Sequence, residues 1–308
     1  MTDNKHLLSG IGGGINVLSL FDGISCGMVA LERAGIPVKK YVAYEIDDYA
    51  IQVSKDNYPQ IEQCGDVFDA DFTQYKGFDL LIGGSPCTYW SVAKGSDNRE
   101  TQASGLGWDL FSQYVKALKE SGCPYFLYEN NASMSAEVKK CISCELGCEP
   151  IEIDSADFSA QKRKRLYWTN IPIAAWTPKN ILFSDIADTE YELSRSIAQY
   201  KDTYKWSKDG MCLRWDTSGK GYYSQQNRAK VVTQKWNTVC ANRAECKGNV
   251  WLGNDMIRAI TMSELEKLQT LPVGYTDCLK NKEQRGKCIG NGWTVDVIAH
   301  ILEGLFNE

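Results

Sequence analysis

The chain has 308 residues, 43% of them hydrophobic and 24% charged, with a formal net charge of −5. This is the profile of a soluble globular protein of one large or two modest domains. It excludes a bilayer-spanning helix, because no apolar run is long enough, and Met1-Thr2-Asp3-Asn4-Lys5-His6 lacks the apolar core of a signal peptide. A reducing compartment is expected, with the 12 cysteines as thiols. Only His6 and His300 are histidines, which argues against a histidine-based metal site or a Ser-His triad. Cys141, Cys144 and Cys148 fall on one helical face with no fourth ligand nearby, so helix packing is expected there and no metal.

Residues 1–14 read as a flexible, glycine-containing tail. Residues 15–20 form a first strand, and Phe21-Asp22-Gly23-Ile24-Ser25-Cys26-Gly27 leads into a helix ended by Gly35 and Pro37. Strand, glycine turn and helix make the opening unit of a nucleotide-binding α/β domain, although many α/β turns need glycine for other reasons. A second strand, 40–44, runs into Glu45 and Ile46, where an acid is well placed for ribose hydroxyls. After a helix to about Asn57, Gly65-Asp66-Val67 forms a third loop ending in an acid. The fourth strand runs through Leu80-Leu81-Ile82 into Gly83-Gly84-Ser85-Pro86-Cys87. Such a turn can hold a thiol at a strand's carboxyl end, where open α/β sheets bind ligands. Cys87 is therefore a candidate nucleophile, although most cysteines are small buried hydrophobes.

Residues 88–107 are polar and about twenty long, and read as a lid over the site. A helix over 108–120, a strand over 125–128 ending in Glu129-Asn130-Asn131, and a helix over 133–146 follow. Residues 151–154 alternate as an edge strand, and Gln161-Lys162-Arg163-Lys164-Arg165 runs into another strand at 166–169. From about Pro172 the composition shifts. Residues 173–257 show weak periodicity and many Trp, Tyr, Asn and Gln, and read as a second lobe of short strands and loops. Residues 201–258 hold eleven Lys/Arg against five Asp/Glu, which suggests an anionic partner, although a solvated surface can cluster charge in the same way. A helix is expected over 258–271, ended by Pro272, and an apolar helix over 295–306 that packs back on the first lobe.

Taken together, these segments resemble the DNA cytosine-5 methyltransferase family. The matching segments are Phe21-Asp22-Gly23 with Gly27, Tyr44-Glu45, Gly65-Asp66-Val67, Gly83 to Cys87, Glu129-Asn130, Gln161 with Arg163 and Arg165, Arg258 with Thr261, Glu264, Leu268-Gln269 and Pro272, and Gly290-Asn291-Gly292. They cover roughly 15–170 and 258–306, in the family's own order.

The resemblance implies an α/β fold of the class I methyltransferase kind, a doubly wound, Rossmann-like sheet with a small irregular target-recognition lobe. Residues 15–172 with 273–308 would be catalytic, and 173–272 would recognise the target. It implies S-adenosyl-L-methionine as cofactor and double-stranded DNA as partner. No membrane or metal is expected, nor a second subunit, in a bacterial or phage-encoded cytoplasmic enzyme.

The implied catalytic residues are Cys87, Glu129, Arg163 and Arg165. Cys87 would add to C6 of a flipped cytosine, and Glu129, carrying a proton, would neutralise N3. The arginines would hold the base O2 or flanking phosphates, with Arg165, which precedes an apolar strand, the better candidate for the pocket. Phe21 would stack on adenine, Glu45 bind ribose and Asp66 the adenine amino group, with Asp22, Gly23, Ser25, Gly27, Ile46, Val67, Ser85, Asn291 and Trp293 also around the cofactor. Ser91, Arg214, Arg228, Lys230, Arg243 and Arg258 are candidates for DNA contact. The same chemistry on tRNA, and a catalytically inactive DNA-binding relative, are the alternatives. Three places depart from the family pattern: Thr88 where glutamine is usual, Asn131 where valine is usual, and Ser25-Cys26 where many members have two glycines.

Overall fold

The structure is a computed structural model that describes residues 13–91, 99–191, 193–223, 227–239, 241 and 248–306. Most of the expected tail and the middle of the expected lid lie outside the described residues. The chain divides into two compact units. One comprises Met1–Asp154, Lys164–Trp176 and Val295–Glu308, and the other Ser155–Arg163 and Thr177–Thr294. Residues 155–163 and 273–294, assigned to the catalytic domain on sequence, fall in the second unit.

The first unit is built from β1 (Ile15–Leu20), α1 (Cys26–Arg33), β2 (Val38–Tyr44), α2 (Asp48–Asn57), β3 (Glu62–Gln63) and β4 (Leu80–Gly83). These are followed by α3 (Leu106–Ser121), β5 (Tyr125–Asn131), α4 (Ala136–Leu146), β6 (Ile151–Asp154) and β7 (Lys164–Thr169). The strands form one sheet in the order β3-β2-β1-β4-β5-β7-β6. Neighbours from β3 to β5 are parallel, and β7 runs antiparallel to both β5 and β6. The sequence order reverses between β1 and β4, so the loops after these strands open at a topological switch point.

The central strands read as apolar runs because both sheet faces are covered. Leu18, Leu20, Val42 and Leu81 pack with Phe111 and Tyr114 of α3, Tyr128 of β5 and Trp168 of β7. Helix α1 sits tightly on the sheet at Gly27, where a Cβ would come within 2.4 Å of the Ile82 side chain and 2.8 Å of the Tyr41 hydroxyl. The last helix, Val295–Leu302, is apolar enough to be almost wholly buried, and Asp296 pairs with Arg33 at the end of α1 at 2.5 Å.

Among its described residues the second unit has six short strands: β8 (Ser194–Ser196), β9 (Lys205–Trp206), β10 (Cys212–Arg214), β11 (Arg228–Lys230), β12 (Asn249–Gly253) and β13 (Met256–Ala259). The expected short strands thus join in one sheet, in the order β8-β13-β12-β11-β10-β9. The helix expected over 258–271 is not formed as such. Arg258 lies in β13, and the helix α5 (Met262–Leu268) begins only after Thr261. The reason is a capping box: the Thr261 hydroxyl accepts from Glu264 N at 3.0 Å and the Glu264 carboxylate accepts from Thr261 N at 2.9 Å. A further helix, α6 (Lys282–Asn291), has too few apolar residues to show periodicity and is held at its start by Asn281.

The carboxylate of Glu264 also receives the Arg258 guanidinium at 2.8 and 2.5 Å, with both side chains at most 2% exposed. Arg258 is therefore internal, its guanidinium also lying over the Tyr191 ring at 4.9 Å, and it is not the DNA contact expected on sequence. Removing one partner of such a pair strands a buried charge. Glu264→Ala is expected to lower unfolding stability by about 3–5 kcal/mol, measured by urea titration. A loss under about 1 kcal/mol would mean the pair behaves as a surface one.

Candidate active site

The carboxyl ends of β1, β2, β4 and β5 each carry a residue type with chemistry. After β1, Phe21 and Ser25 both adopt left-handed backbone conformations, at φ 57° and 58°. Non-glycine residues rarely do so, and such strain is held only where the surroundings over-determine it. Here the anchor is Asp22. Its carboxylate accepts hydrogen bonds from the hydroxyls of Ser19 at 2.6 Å, Tyr41 at 2.7 Å and Ser25 at 2.5 Å. The Ser25 hydroxyl in turn meets that of Ser54 at 2.6 Å, which accepts from Gln63. Burial pushes the Asp22 carboxyl up to about 6, against the opposing effect of the three hydroxyls.

Glu45, after β2, ties the first two loops together. One oxygen accepts from Gly23 N at 2.8 Å, and the other from Ile46 N at 2.8 Å and Asp47 N at 2.9 Å. Asp66 caps a short turn by accepting from Phe68 N. Phe21 is half-buried, Ile46 is 70% exposed and Phe68 46% exposed, so apolar side chains stand beside two carboxylates at adjoining strand ends. Val67 is buried, as is Ser25. Of the residues expected around the cofactor, Asp22 and Ser25 direct their side chains into the loop itself, and Gly27 lies in α1 where it packs on the sheet.

The turn after β4 carries Cys87, which is half-buried and starts a single helical turn, Cys87–Tyr89. Trp90 is fully buried behind it. The Cys87 carbonyl accepts from Ser91 N at 3.0 Å and Trp90 N at 3.2 Å, which is how the structure uses the backbone of Ser91. Glu100 N donates to the Tyr89 carbonyl at 2.9 Å, and the Glu100 carboxylate accepts from Gly107 N at 3.1 Å. A Cβ at Gly107 would lie 2.6 Å from that carboxylate and 2.7 Å from Tyr89 Cβ. The stem of the expected lid is therefore built structure. Ser85 is also internal, its hydroxyl 2.6 Å from that of Tyr128, and it is not free for the cofactor contact expected of it.

Glu129 lies on β5, the strand next to β4, and is 8% exposed. Arg165 on the antiparallel β7 places its Nε 2.9 Å from a Glu129 oxygen. This guanidinium aims the carboxylate. Arg163, expected in the same pocket, has another use. It is buried in the second unit, donating to the carbonyls of Val239 at 2.7 Å, Gly292 at 3.0 Å and Gly290 at 3.3 Å. Gln269 donates to Ile289 and Gly292 carbonyls and accepts from Gln161 and Thr294. Several of the motif residues noted after 160 thus form one internal network that fixes the backbone beside Asn291 and Trp293. Asn291 is exposed and Trp293 half-buried.

Of the expected DNA contacts, Arg214 is exposed on β10, and its register partners are Lys205 on β9 and Arg228 on β11. Directly opposed residues share a face, so three cations form a row across three strands. Lys230 is 8% exposed with its ammonium over the Trp236 ring, and does not belong to that row. Arg243 lies outside the described residues. Among the described residues no cluster of His, Cys, Asp and Glu can hold a metal ion, and no helix is long and apolar enough to cross a membrane.

The sheet order and the strand-end site define a class I methyltransferase fold. The chain belongs to the C-5 cytosine-specific DNA methylase family, whose model matches residues 15–307. It is 39% identical over 124 residues to an orphan methyltransferase, M.SPRI, of Bacillus phage SPR, covering 38% of this chain. The aligned part spans 26% of that protein's length, so the chain covers only about a quarter of it. It is 24% identical to the type II methyltransferase M.NgoPII of Neisseria gonorrhoeae, over 94% of this chain and 95% of that one. Among solved structures, the Dnmt2 methyltransferase of S. pombe superposes with a TM-score of 0.67 at 14% identity, covering 94% of this chain and 97% of that one.

The Asp22 cluster gives a pH signature with a definite sign. A carboxyl whose native value is raised from 3.8 to about 6 contributes stability that is present below the lower value and lost as pH rises through the upper one. Asp22→Asn should abolish that loss. The stability difference between wild type and variant is expected to change by roughly 2–3 kcal/mol between the two values, read by denaturant titration. A difference independent of pH would mean that Asp22 is not strained by burial.

Proposed function

We propose that the chain transfers a methyl group from S-adenosylmethionine to C5 of cytosine in double-stranded DNA. The observation that carries this reading is the thiol of Cys87 and the Arg165-aimed carboxylate of Glu129 on neighbouring strand ends of the first unit. The residues after β1, β2 and β3 fit the cofactor. Phe21 and Ile46 offer apolar surface to a flat base, and Glu45 and Asp66 offer acceptors to hydroxyl and amino groups. When bound, the cofactor supplies an electrophilic methyl.

The chemistry follows from these groups. The Cys87 thiolate adds to C6 of a cytosine turned out of the duplex, which removes the ring's aromaticity and places electron density on C5. Glu129 donates to N3 and takes up the charge that would otherwise collect there. Arg165 keeps the carboxylate in register with the ring. C5 then takes the methyl, for which the donor's sulfonium would be left as a neutral thioether; the C5 proton passes to solvent, N3 returns its proton to Glu129, and elimination of the thiolate restores the aromatic pyrimidine and the free cysteine. The second unit takes up the target, and the row of Lys205, Arg214 and Arg228 suits a run of phosphates.

Methyl transfer from labelled cofactor to duplex DNA and to tRNA tests the substrate. Label in 5-methylcytosine of the duplex is expected, and label confined to tRNA overturns the DNA reading. The row makes a second prediction. Replacing Lys205 and Arg214 together by Ala should reduce the slope of log affinity against log salt by about 0.9 for each phosphate that the variant no longer neutralises, measured by fluorescence anisotropy on duplex DNA. An unchanged slope removes the row from the interface.

A further inference from the structure

The residue at the end of β5, Asn131, has no use in the chemistry above. It is 4% exposed, and its surroundings fix which way its amide points. The side-chain oxygen accepts from Ser133 N at 3.0 Å and from the Ser133 hydroxyl at 2.8 Å. Backbone N–H can only donate, so the oxygen must face Ser133 and the nitrogen must face the other way. The nitrogen donates to the Asn130 side-chain oxygen at 3.1 Å and to the Cys87 carbonyl at 3.3 Å. Asn130 continues the chain: its own nitrogen donates to the Ser85 carbonyl and to the Tyr128 hydroxyl, both at 3.1 Å.

The turn from Ser85 to Cys87 is thus stitched to β5 at both of its ends by two consecutive asparagines. The same β5 residue, Asn131, is the register partner of Arg165, which aims Glu129. Strand, turn and guanidinium close a ring in which thiol and carboxylate are held by one strand end. A valine at this position, the residue expected from the family pattern, has no donor for the Cys87 carbonyl.

We propose that Asn131 is a positioning residue that sets where the Cys87 thiol stands relative to Glu129, acting through the Cys87 backbone and touching no reacting atom. This rests on the reading of Cys87 as nucleophile. The structure already gives the Cys87 carbonyl two backbone donors, Trp90 N and Ser91 N, which fix the turn internally. Asn131 adds the link that ties the turn to the strand carrying the acid.

Single-turnover methyl transfer to duplex DNA, with cofactor affinity measured in parallel by calorimetry, separates this role from a general loss of structure. Asn131→Val is expected to slow transfer by about tenfold to about a hundredfold, while the cofactor dissociation constant stays within about twofold. Ser133→Ala keeps the donor but loosens its aim, and should give an intermediate loss. Transfer by Asn131→Val at a rate within about twofold of wild type overturns the proposal, as does an equal loss in rate and cofactor affinity. If the valine variant does not fold, Asn131→Ala makes the same test by the same criteria. Cys87→Ala stands as the control. If that variant still transfers methyl at the wild-type rate, it is the nucleophile reading that fails, whatever Asn131 does.

Discussion

The site depends on one reversal of strand direction. β7 inserts antiparallel beside β5, and this brings Arg165 back along the strand that carries Glu129, so that the guanidinium reaches the carboxylate at 2.9 Å. A parallel strand there would send its side chains out at its own far end. The ion pair is nearly buried, and its value is less in stability than in direction, since a desolvated carboxylate must have its partner in one place. Cys87 enters from β4 on the other side of β5, and the asparagines at the end of β5 join the two.

A second constraint acts on the loop after β1. Of its three left-handed residues only Gly23 is a glycine, so the conformation at Phe21 and Ser25 has to be held from outside. Asp22 does this with three hydroxyl donors, one from the preceding strand, one from β2 and one from the strained residue itself. Glu45 adds a bond to Gly23 from the second loop. The loop's shape is thus set by buried polar bonds. A Ser-Cys sequence at 25 and 26 can therefore stand where glycines are usual: the Ser25 hydroxyl partners Asp22, and Cys26 is a buried apolar residue of α1.

Much of this was legible from sequence. Apolar runs ending in glycine or an acid marked β1, β2 and β4, and the thiol at the end of β4 could be picked out because Pro86 and the glycines announce a turn. Other features were not legible, for identifiable reasons. Arg165 is the better pocket candidate on sequence because it runs into an apolar strand, but only the structure shows that Arg163 faces three backbone carbonyls while Arg165 faces a carboxylate. Arg258 counted as part of a basic excess, although its charge is cancelled internally by Glu264. A capping box at Thr261 and Glu264 was present in the sequence and would have placed the start of α5 correctly. Asn131 stands out in the sequence as a polar residue where valine is usual, but its role is not legible there, because its partner, the Cys87 carbonyl, is a backbone group 44 residues away. Short strands are expected in the second lobe, but their positions and pairing are not legible because strands of two to five residues are too short to show alternation.

Everything proposed for the first unit turns on a bond between one sulfur and one carbon. Duplex DNA carrying 5-fluorocytosine cannot lose the C5 substituent as a proton, so a reaction that proceeds through C6 stops with the protein attached. Incubating the chain with such DNA and S-adenosylmethionine, then mapping the adduct by proteolysis and mass spectrometry, reads that bond directly. The expected result is a methylated fluoropyrimidine on the peptide containing Cys87. Methyl transfer with no adduct, or an adduct on another cysteine, would contradict the assignment of Cys87 and Glu129 as the reacting pair.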